Sequence, residues 1–263
     1  MPRDVVSKCI YDAPSQVYLD VASLGEGVIR SRLSEVAEVC RRYAGIDVTR
    51  ESIPVYPSVH FFMGGLAVDG EHKTSINRLY AIGECASRYH GANRLGGNSL
   101  LAAIYGGILA AKAIGALEKP DTLPDFSAYI AEQRETISKA LASRSRFSAV
   151  YVRNEIAKLM NDCLGITRTE EKLNEGICSV DYYLSISDKP MFDSDVSSYV
   201  AYSIKPMLLL ARAILTSALA RRETRGAHIR EDYPERSTAY DRCSVCTYRN
   251  GEHHVSFEKE DEA

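Results

Sequence analysis

The sequence predicts an α+β chain: short glycine-punctuated strands come first, a small helical bundle follows, and a hairpin region ends it. Three observations predict this. Residues 57–117 alternate brief apolar runs with glycines and close on a stretch rich in Leu and Ala. Residues 124–222 carry apolar side chains at helical spacing in four successive segments. Asn250-Gly251 separates Cys246-Thr247-Tyr248 from Val255-Ser256-Phe257, the arrangement of a two-residue hairpin turn.

Taken in order, residues 1–56 read as a mixed segment. Val17 to Val21 is a short strand, and Ile29, Leu33, Val36 and Cys40 mark a helical face between Gly27 and Tyr43. Leu66-Ala67-Val68 and Leu79 to Ile82 are two further strands, each bounded by glycine. Asn98-Ser99 is expected to cap a helix running to about Ala116. Four bundle helices follow from their apolar faces. These are Phe126, Ile130, Ile137 and Leu141; then Val152, Ile156, Leu159, Met160 and Cys163. The third is Leu173, Ile177, Val180 and Leu184, and the fourth Met207, Ala211, Ile214 and Ala218. The last residues, 258–263, are expected to fray.

Composition excludes several function classes. A net charge of −3 gives no electrostatic basis for nucleic-acid binding. Seven scattered cysteines argue for a reducing compartment rather than a disulfide framework. No stretch approaches the roughly 20 apolar residues of a membrane span, and MPRDVVSKC has no apolar signal core. A cytoplasmic chain is expected, or one peripheral at the inner face of the membrane.

The chemistry-bearing residues cluster in the glycine-rich stretch. Gly91, Gly96 and Gly97 flank Asn93-Arg94 just before a helix N-terminus, where a backbone without side chains approaches a flat or anionic ligand. Glu84 at a strand end is placed for a ribose or ribityl hydroxyl. His60 and Arg94 together suit a carboxylate, arginine offering a bidentate fork. A cofactor-plus-dianion site accounts for these residues; so does an ordinary glycine-rich loop.

A resemblance separates the two. IPVYPSVHFFMGGLAVD, LYAIGECA and HGANRLGGNSLL resemble the flavoprotein family of succinate dehydrogenase, fumarate reductase and L-aspartate oxidase. PRDVVSK, YVRNEIAKLMNDCLGITRTEEKL and RRETRGAHIREDYP are similar to it as well, in family order from Pro2 to Pro234. The resemblance implies FAD as cofactor, a dicarboxylate substrate, and hydride transfer between flavin and the central carbon–carbon bond of succinate or fumarate. Carried over residue by residue, it makes Arg3 the proton-exchanging catalytic group and His60 a ligand of a substrate carboxylate. Arg94 becomes the dicarboxylate clamp beside the flavin. Glu84 becomes an FAD contact, and Ser99 and Leu100 backbone contacts to the isoalloxazine ring. It divides the chain into part of a capping domain (1–56), the C-terminal part of an FAD-binding domain (57–117), a helical bundle (118–225) and a C-terminal tail (226–263).

Departures from the family are visible too. The CASRY stretch between Glu84 and His90 is one residue short of the family's usual length, and Phe61 stands where tyrosine is common. No Gly-x-Gly-x-x-Gly follows a strand: after Gly25 and Gly27, Arg30 takes the third position, so this stretch reads as a loop. The dinucleotide-binding half is expected to lie before Met1, which makes the chain a fragment, a truncated frame or one half of a split enzyme. Partners follow from this reading: the missing N-terminal flavoprotein half and an iron–sulfur subunit. L-aspartate oxidase, or a non-catalytic assembly partner, are the competing functions. Cys243-x-x-Cys246 near His253 and His254 reads as two reduced cysteines on a hairpin rather than a zinc site, because adjacent strand residues face opposite ways. Arg221, Arg222, Arg225 and Arg230, interleaved with Glu223, Glu231 and Asp232, read as a solvated or inter-domain ion-pair surface.

Overall fold

The structure, a computed structural model, describes residues 3–118, 122, 124–142, 147–187 and 198–259, without the side chains of Arg3, 140–142 and Ser198. The chain forms two units, Met1–Phe61 and Phe62–Ala263. Its mixed helix-and-strand content matches the α+β expectation.

In the first unit, α1 spans Arg3–Tyr11, with Asp4 in its first turn and Lys8 in its last, the charge order that suits the helix dipole. Strand β1 (Val17–Leu19) pairs antiparallel with β2 (Ile53–Val55). The helical face expected from Gly27 to Tyr43 is broken at Leu33 into α2 (Glu26–Arg32) and α3 (Ser34–Val39), followed by a wider turn over Cys40–Ala44. Val21, Ile29 and Val48 form the small core there, with Leu33, Ala37 and Ile53 packed against it.

The second unit begins with less regular structure than expected. The strands anticipated at 66–68 and 79–82 reduce to single bridges, Leu66 with Ala86 and Lys73 with Tyr80. Gly65 at φ 145° and Gly83 at φ 66° turn the backbone out of extended geometry beside them, so the pairing stops after one residue. Helix α4 (Asn98–Gly115) forms, but Asn98 and Ser99 lie inside it. The cap position is Gly97, at φ 84°, with no side-chain cap bond.

Three helices make the bundle: α6 (Ala149–Cys163), α7 (Glu170–Ile186) and α8 (Ser198–Ala220). Val152, Ile156, Leu173, Val180, Leu208 and Leu215 are buried at its centre. Thr169 caps α7, its side chain accepting from the Lys172 N–H. Two expectations for the bundle are corrected. Phe126 lies just before α5 (Ser127–Ala142); it and Ile130 are exposed, Ile137 packs on the bundle core, and the Leu141 side chain lies outside the described residues. The buried stripe of α8 is Ala201, Ile204, Leu208, Ala211, Leu215 and Ala218, so Met207 and Ile214 sit beside the seam rather than in it. Residues 143–146 and 188–197 of the expected helical region lie outside the described residues.

By length and composition alone, α4 and α8 are long and apolar enough to cross a membrane, contrary to the sequence expectation. The buried stripe of α8 makes it the core helix of the bundle. The tail hairpin forms as predicted, β5 (Cys243–Arg249) with β6 (Glu252–Glu258), turning at Asn250 (φ 53°) and Gly251 (φ 85°). All seven cysteines are free, and no group of three or more metal-ligating side chains occurs among the described residues.

The arginine-rich segment forms the expected ion pairs, but its centre is buried rather than solvated, with Arg222, Glu231 and Asp232 at the exposed rim. Arg230 and Glu223 are fully buried. Arg230 forks both oxygens of Asp232 at 2.8 Å and donates to the Ala218, Leu219 and Arg221 carbonyls, which closes the C-terminal end of α8. Burial works against the Glu223 carboxylate, but hydrogen bonds from Arg225, the Ser237 N–H and Arg221 hold its pKa below the usual range. Arg221 also donates to Ser244 Oγ and to the Tyr240 and Arg242 carbonyls, which ties the hairpin down. Strands β3 (Thr167–Arg168) and β4 (Ile229–Arg230) pair in parallel within this knot.

His228 lies in the same knot, its Nε2 3.0 Å from the Arg221 carbonyl. Burial pushes its pKa from 6.5 down to about 4, with Arg168, Arg230 and Arg221 adding to the shift. The unfolded chain therefore binds a proton here that the folded chain refuses, and stability from this group is complete above about pH 6.5 and lost as pH falls toward about 4. Urea unfolding from pH 7 to pH 4 is expected to show stability falling through this window, with a shallower fall in His228→Asn.

Candidate functional site

The candidate site is the loop from Arg88 to Gly97 together with the first turn of α4. What holds the loop is a buried histidine that the sequence reading did not single out. His72 is fully buried. Its Nδ1 lies 2.8 Å from the Ala81 carbonyl, which only accepts, so Nδ1 carries the proton. Nε2 is then the acceptor for the Tyr89 hydroxyl at 2.9 Å in the neutral ring. The ring lies against Gly106 of α4, where a Cβ would stand 2.7 Å from His72 Cε1. Tyr89 makes edge contacts with His90 and Tyr105. The root of the loop is thus pinned to α4 through His72 immediately before His90. Burial, together with the Arg94 guanidinium, lowers the His90 pKa, which favours a neutral imidazole.

Glu84 sits in a single helical turn, Gly83–Cys85, whose Gly83 packs on Ala103 of α4. Its Oε1 accepts from the Phe62 N–H at 2.8 Å, so one carboxylate oxygen is committed to the backbone. The Arg94 N–H donates to Met63 Sδ at 3.0 Å, and its guanidinium donates to the Leu95 carbonyl. Met63 therefore joins the end of the SVHFFMGG string to the Arg94 loop. At the start of α4, Ser99 is half-buried, while Leu95 and Leu100 are 72% and 73% exposed. Gly97 adopts a left-handed conformation with open space where a Cβ would stand. Arg3 is the first residue of α1, and its side chain lies outside the described residues. His60 is exposed in the loop after β2. Of the six expected site residues, Glu84, Arg94, Ser99 and Leu100 share the second unit, while Arg3 and His60 belong to the first.

Residues 1–100 match the family described as "FAD binding domain", and residues 153–262 match "Fumarate reductase flavoprotein C-term". The chain belongs to the succinate dehydrogenase/fumarate reductase flavoprotein family. Its relatives include the fumarate reductase flavoprotein subunit of Haemophilus influenzae, 35% identical over 89% of this chain and 43% of the relative. The L-aspartate oxidase of a Nostoc strain is 34% identical over 89% of this chain and 44% of the relative. Among solved structures, a variant of the Escherichia coli quinol fumarate reductase chain FrdA superposes with a TM-score of 0.79 at 29% identity, covering 98% of this chain and 48% of that one. The chain spans less than half the length of these curated relatives.

The cofactor of this flavoprotein family is FAD. The residues present fit an edge of it. The first turn of α4 has backbone N–H groups without a side-chain cap, a cap residue with no Cβ, and exposed leucines on either side. Such a surface offers hydrogen-bond donors beside apolar area, which suits a planar ring system. Cys243 and Cys246 both lie on β5, where Cys243 stands opposite Glu258 and Cys246 opposite Val255.

The His72 anchor gives a direct test. Gly106→Ala should displace the buried ring and destabilise the chain by about 1–3 kcal/mol. Tyr89→Phe, which removes only the hydroxyl opposite Nε2, should cost about 1 kcal/mol. Urea unfolding of both variants checks the order.

Proposed function

We propose that this chain is the dicarboxylate-side part of an FAD-dependent oxidoreductase that interconverts succinate and fumarate, and that it works only when a dinucleotide-binding half completes the cofactor site. The observation that carries this reading is the inverted packing of α4. Its buried face is small, with Ala102, Gly106 and Ala110, and its large apolar residues face outward. Leu100, Leu101, Ile104, Tyr105 and Ile108 are between 49% and 73% exposed. Apolar surface this continuous is covered in a working protein. A covering half is also consistent with the share of its relatives that this chain spans.

In this reading Arg94, whose N–H donates to Met63 Sδ, clamps the dicarboxylate, and His60 holds a substrate carboxylate. Arg3 exchanges the proton on the carbon next to the one that exchanges hydride. Glu84 and the α4 amides at Ser99 and Leu100 hold FAD, which supplies the hydride acceptor when bound. The domain reading goes with it: a capping part over 1–56, the end of the FAD-binding domain over 57–117, the bundle over 118–225 and the tail beyond. That the similar Escherichia coli enzyme is a quinol fumarate reductase supports an electron-carrying partner such as an iron–sulfur subunit and a place at the inner face of the membrane. L-aspartate oxidation is the competing reading, because the Nostoc relative is as similar as the fumarate reductase.

The test joins this chain to the dinucleotide-binding half of the Haemophilus influenzae relative, loads FAD, and follows fumarate-dependent oxidation of a reduced viologen dye. Turnover is expected from the joined protein, with a loss of about 100-fold or more in Arg94→Lys, where the bidentate fork is gone. A stoichiometric FAD protein that turns over neither fumarate nor succinate contradicts the proposal, and oxidation of L-aspartate in its place supports the competing reading.

A further inference from the structure

The Arg94 loop is held a second time, from the far end of the chain. In the RGAHIREDYP segment, the Ala227 N–H donates to the Ala92 carbonyl at 2.9 Å. Gly226 stands over the same peptide. A Cβ there would meet the Ala92 carbonyl oxygen well inside van der Waals contact, with the carbonyl carbon at 2.7 Å and the Ala92 Cβ at 2.9 Å. Gly226 also adopts φ 58°, a conformation that side chains other than glycine resist. The turn is itself immobilised on both sides. Arg225 ion-pairs with Glu223 and Asp241 and donates to the Ser237 carbonyl. The Arg225 and His228 backbones exchange hydrogen bonds across the turn. Behind it, Arg168 Nη1 donates to the Ala227 carbonyl at 3.1 Å. Burial and the nearby Arg230 lower the pKa of Arg168 to about 10, and its Nε has no hydrogen-bond partner among the described residues. Its Nη2 donates to the Gly165 carbonyl at 3.3 Å, so the guanidinium bridges the turn after α6 to the Ala227 peptide.

We propose that the Gly226-Ala227 turn is a positioning element for the dicarboxylate site: it fixes the Ala92 peptide and thereby sets where Arg94, two residues on, presents its guanidinium. None of these C-terminal residues touches substrate or cofactor in this account; they act through Ala92. The proposal rests on Arg94 being the substrate clamp, as proposed above, and adds that the precision of the clamp is supplied by the C-terminal segment. The turn admits only glycine at 226, and the ion-pair knot holds it rigid.

Two readouts test it separately. In the full chain, the through-hydrogen-bond scalar coupling between the Ala227 amide nitrogen and the Ala92 carbonyl carbon reads the brace itself by NMR. It should be present in the parent and lost in Gly226→Ala, with chemical-shift changes confined to residues 91–95 and 224–230. In the FAD-loaded protein joined to its dinucleotide-binding half, Gly226→Ala should raise KM for fumarate about tenfold, the scale of one lost hydrogen bond. Its kcat should stay within about twofold and its FAD content should be unchanged. Should Gly226→Ala not fold, Arg168→Met removes the support behind Ala227 and should raise KM in the same sense by a smaller factor. Absence of the coupling in the parent overturns the proposal, as does an unchanged KM in a folded variant that has lost it. A joined protein that carries FAD but acts on no dicarboxylate contradicts the function proposed above, while the coupling and shifts still decide whether the turn sets the loop.

Discussion

A fully buried guanidinium has five N–H donors and no acceptor of its own, so it persists only where the fold supplies oxygens on every side. Arg230 finds them in two places: the carboxylate of Asp232, and the carbonyls at the end of α8. Those carbonyls are the groups a helix C-terminus leaves unsatisfied. One side chain thereby ends the longest helix and turns the chain back. Its hydrogen bonds hold the Asp232 carboxyl at a pKa of about 2, against burial and with help from the Glu170 N–H. Around it, Glu223 gathers Arg221 and Arg225, and Arg221 reaches the hairpin through Ser244, Tyr240 and Arg242.

The functional consequence is geometric. Bundle, hairpin and RGAHIREDYP segment converge on this knot, and the knot reaches the Arg94 loop at Ala92. From the other side the loop is tied to α4 through Tyr89 and His72. A buried network of this kind costs desolvation and returns specificity of position only when every member is satisfied. Its carboxylates and guanidinium groups are nearly all paired. Arg168 makes no ion pair among the described residues and donates instead to the Gly165 carbonyl and to the Ala227 carbonyl of the turn that contacts the loop. The outward face of α4 behaves oppositely: it is apolar, continuous and exposed, as the proposed covering half would require.

Much of this was legible in the sequence, and the reasons differ by element. The Asn250-Gly251 hairpin was legible because that dipeptide tolerates positive φ at both turn positions, and it adopts 53° and 85°. The α6 and α7 stripes were legible because helical periodicity needs no partner to be seen. The α8 stripe was right at Ala211 and Ala218 and one position off at Met207 and Ile214, since its apolar residues run nearly all round the helix and only packing selects the seam. The strands at 66–68 and 79–82 misled because glycine bounds a strand in the sequence whether it pairs for three residues or for one. Asn98-Ser99 looked like a cap because those residue types favour caps, but the chain caps at Gly97 and leaves the first-turn amides without a side-chain acceptor. His72 carried no sequence signal, and Gly226 only its place in the RRETRGAHIREDYP string. Their roles depend on contacts with Tyr89, Gly106 and Ala92 that only the folded chain creates.

The most direct test of this account is native-state hydrogen exchange in Arg230→Lys, which keeps the charge and removes the fork. The account predicts that the amides of Arg225, Ala227, His228, Glu231 and Tyr233 lose protection together, while those of Val180, Leu208 and Leu215 in the bundle keep theirs. Unchanged protection at Ala227, or equal loss across the bundle and the C-terminal segment, would contradict it.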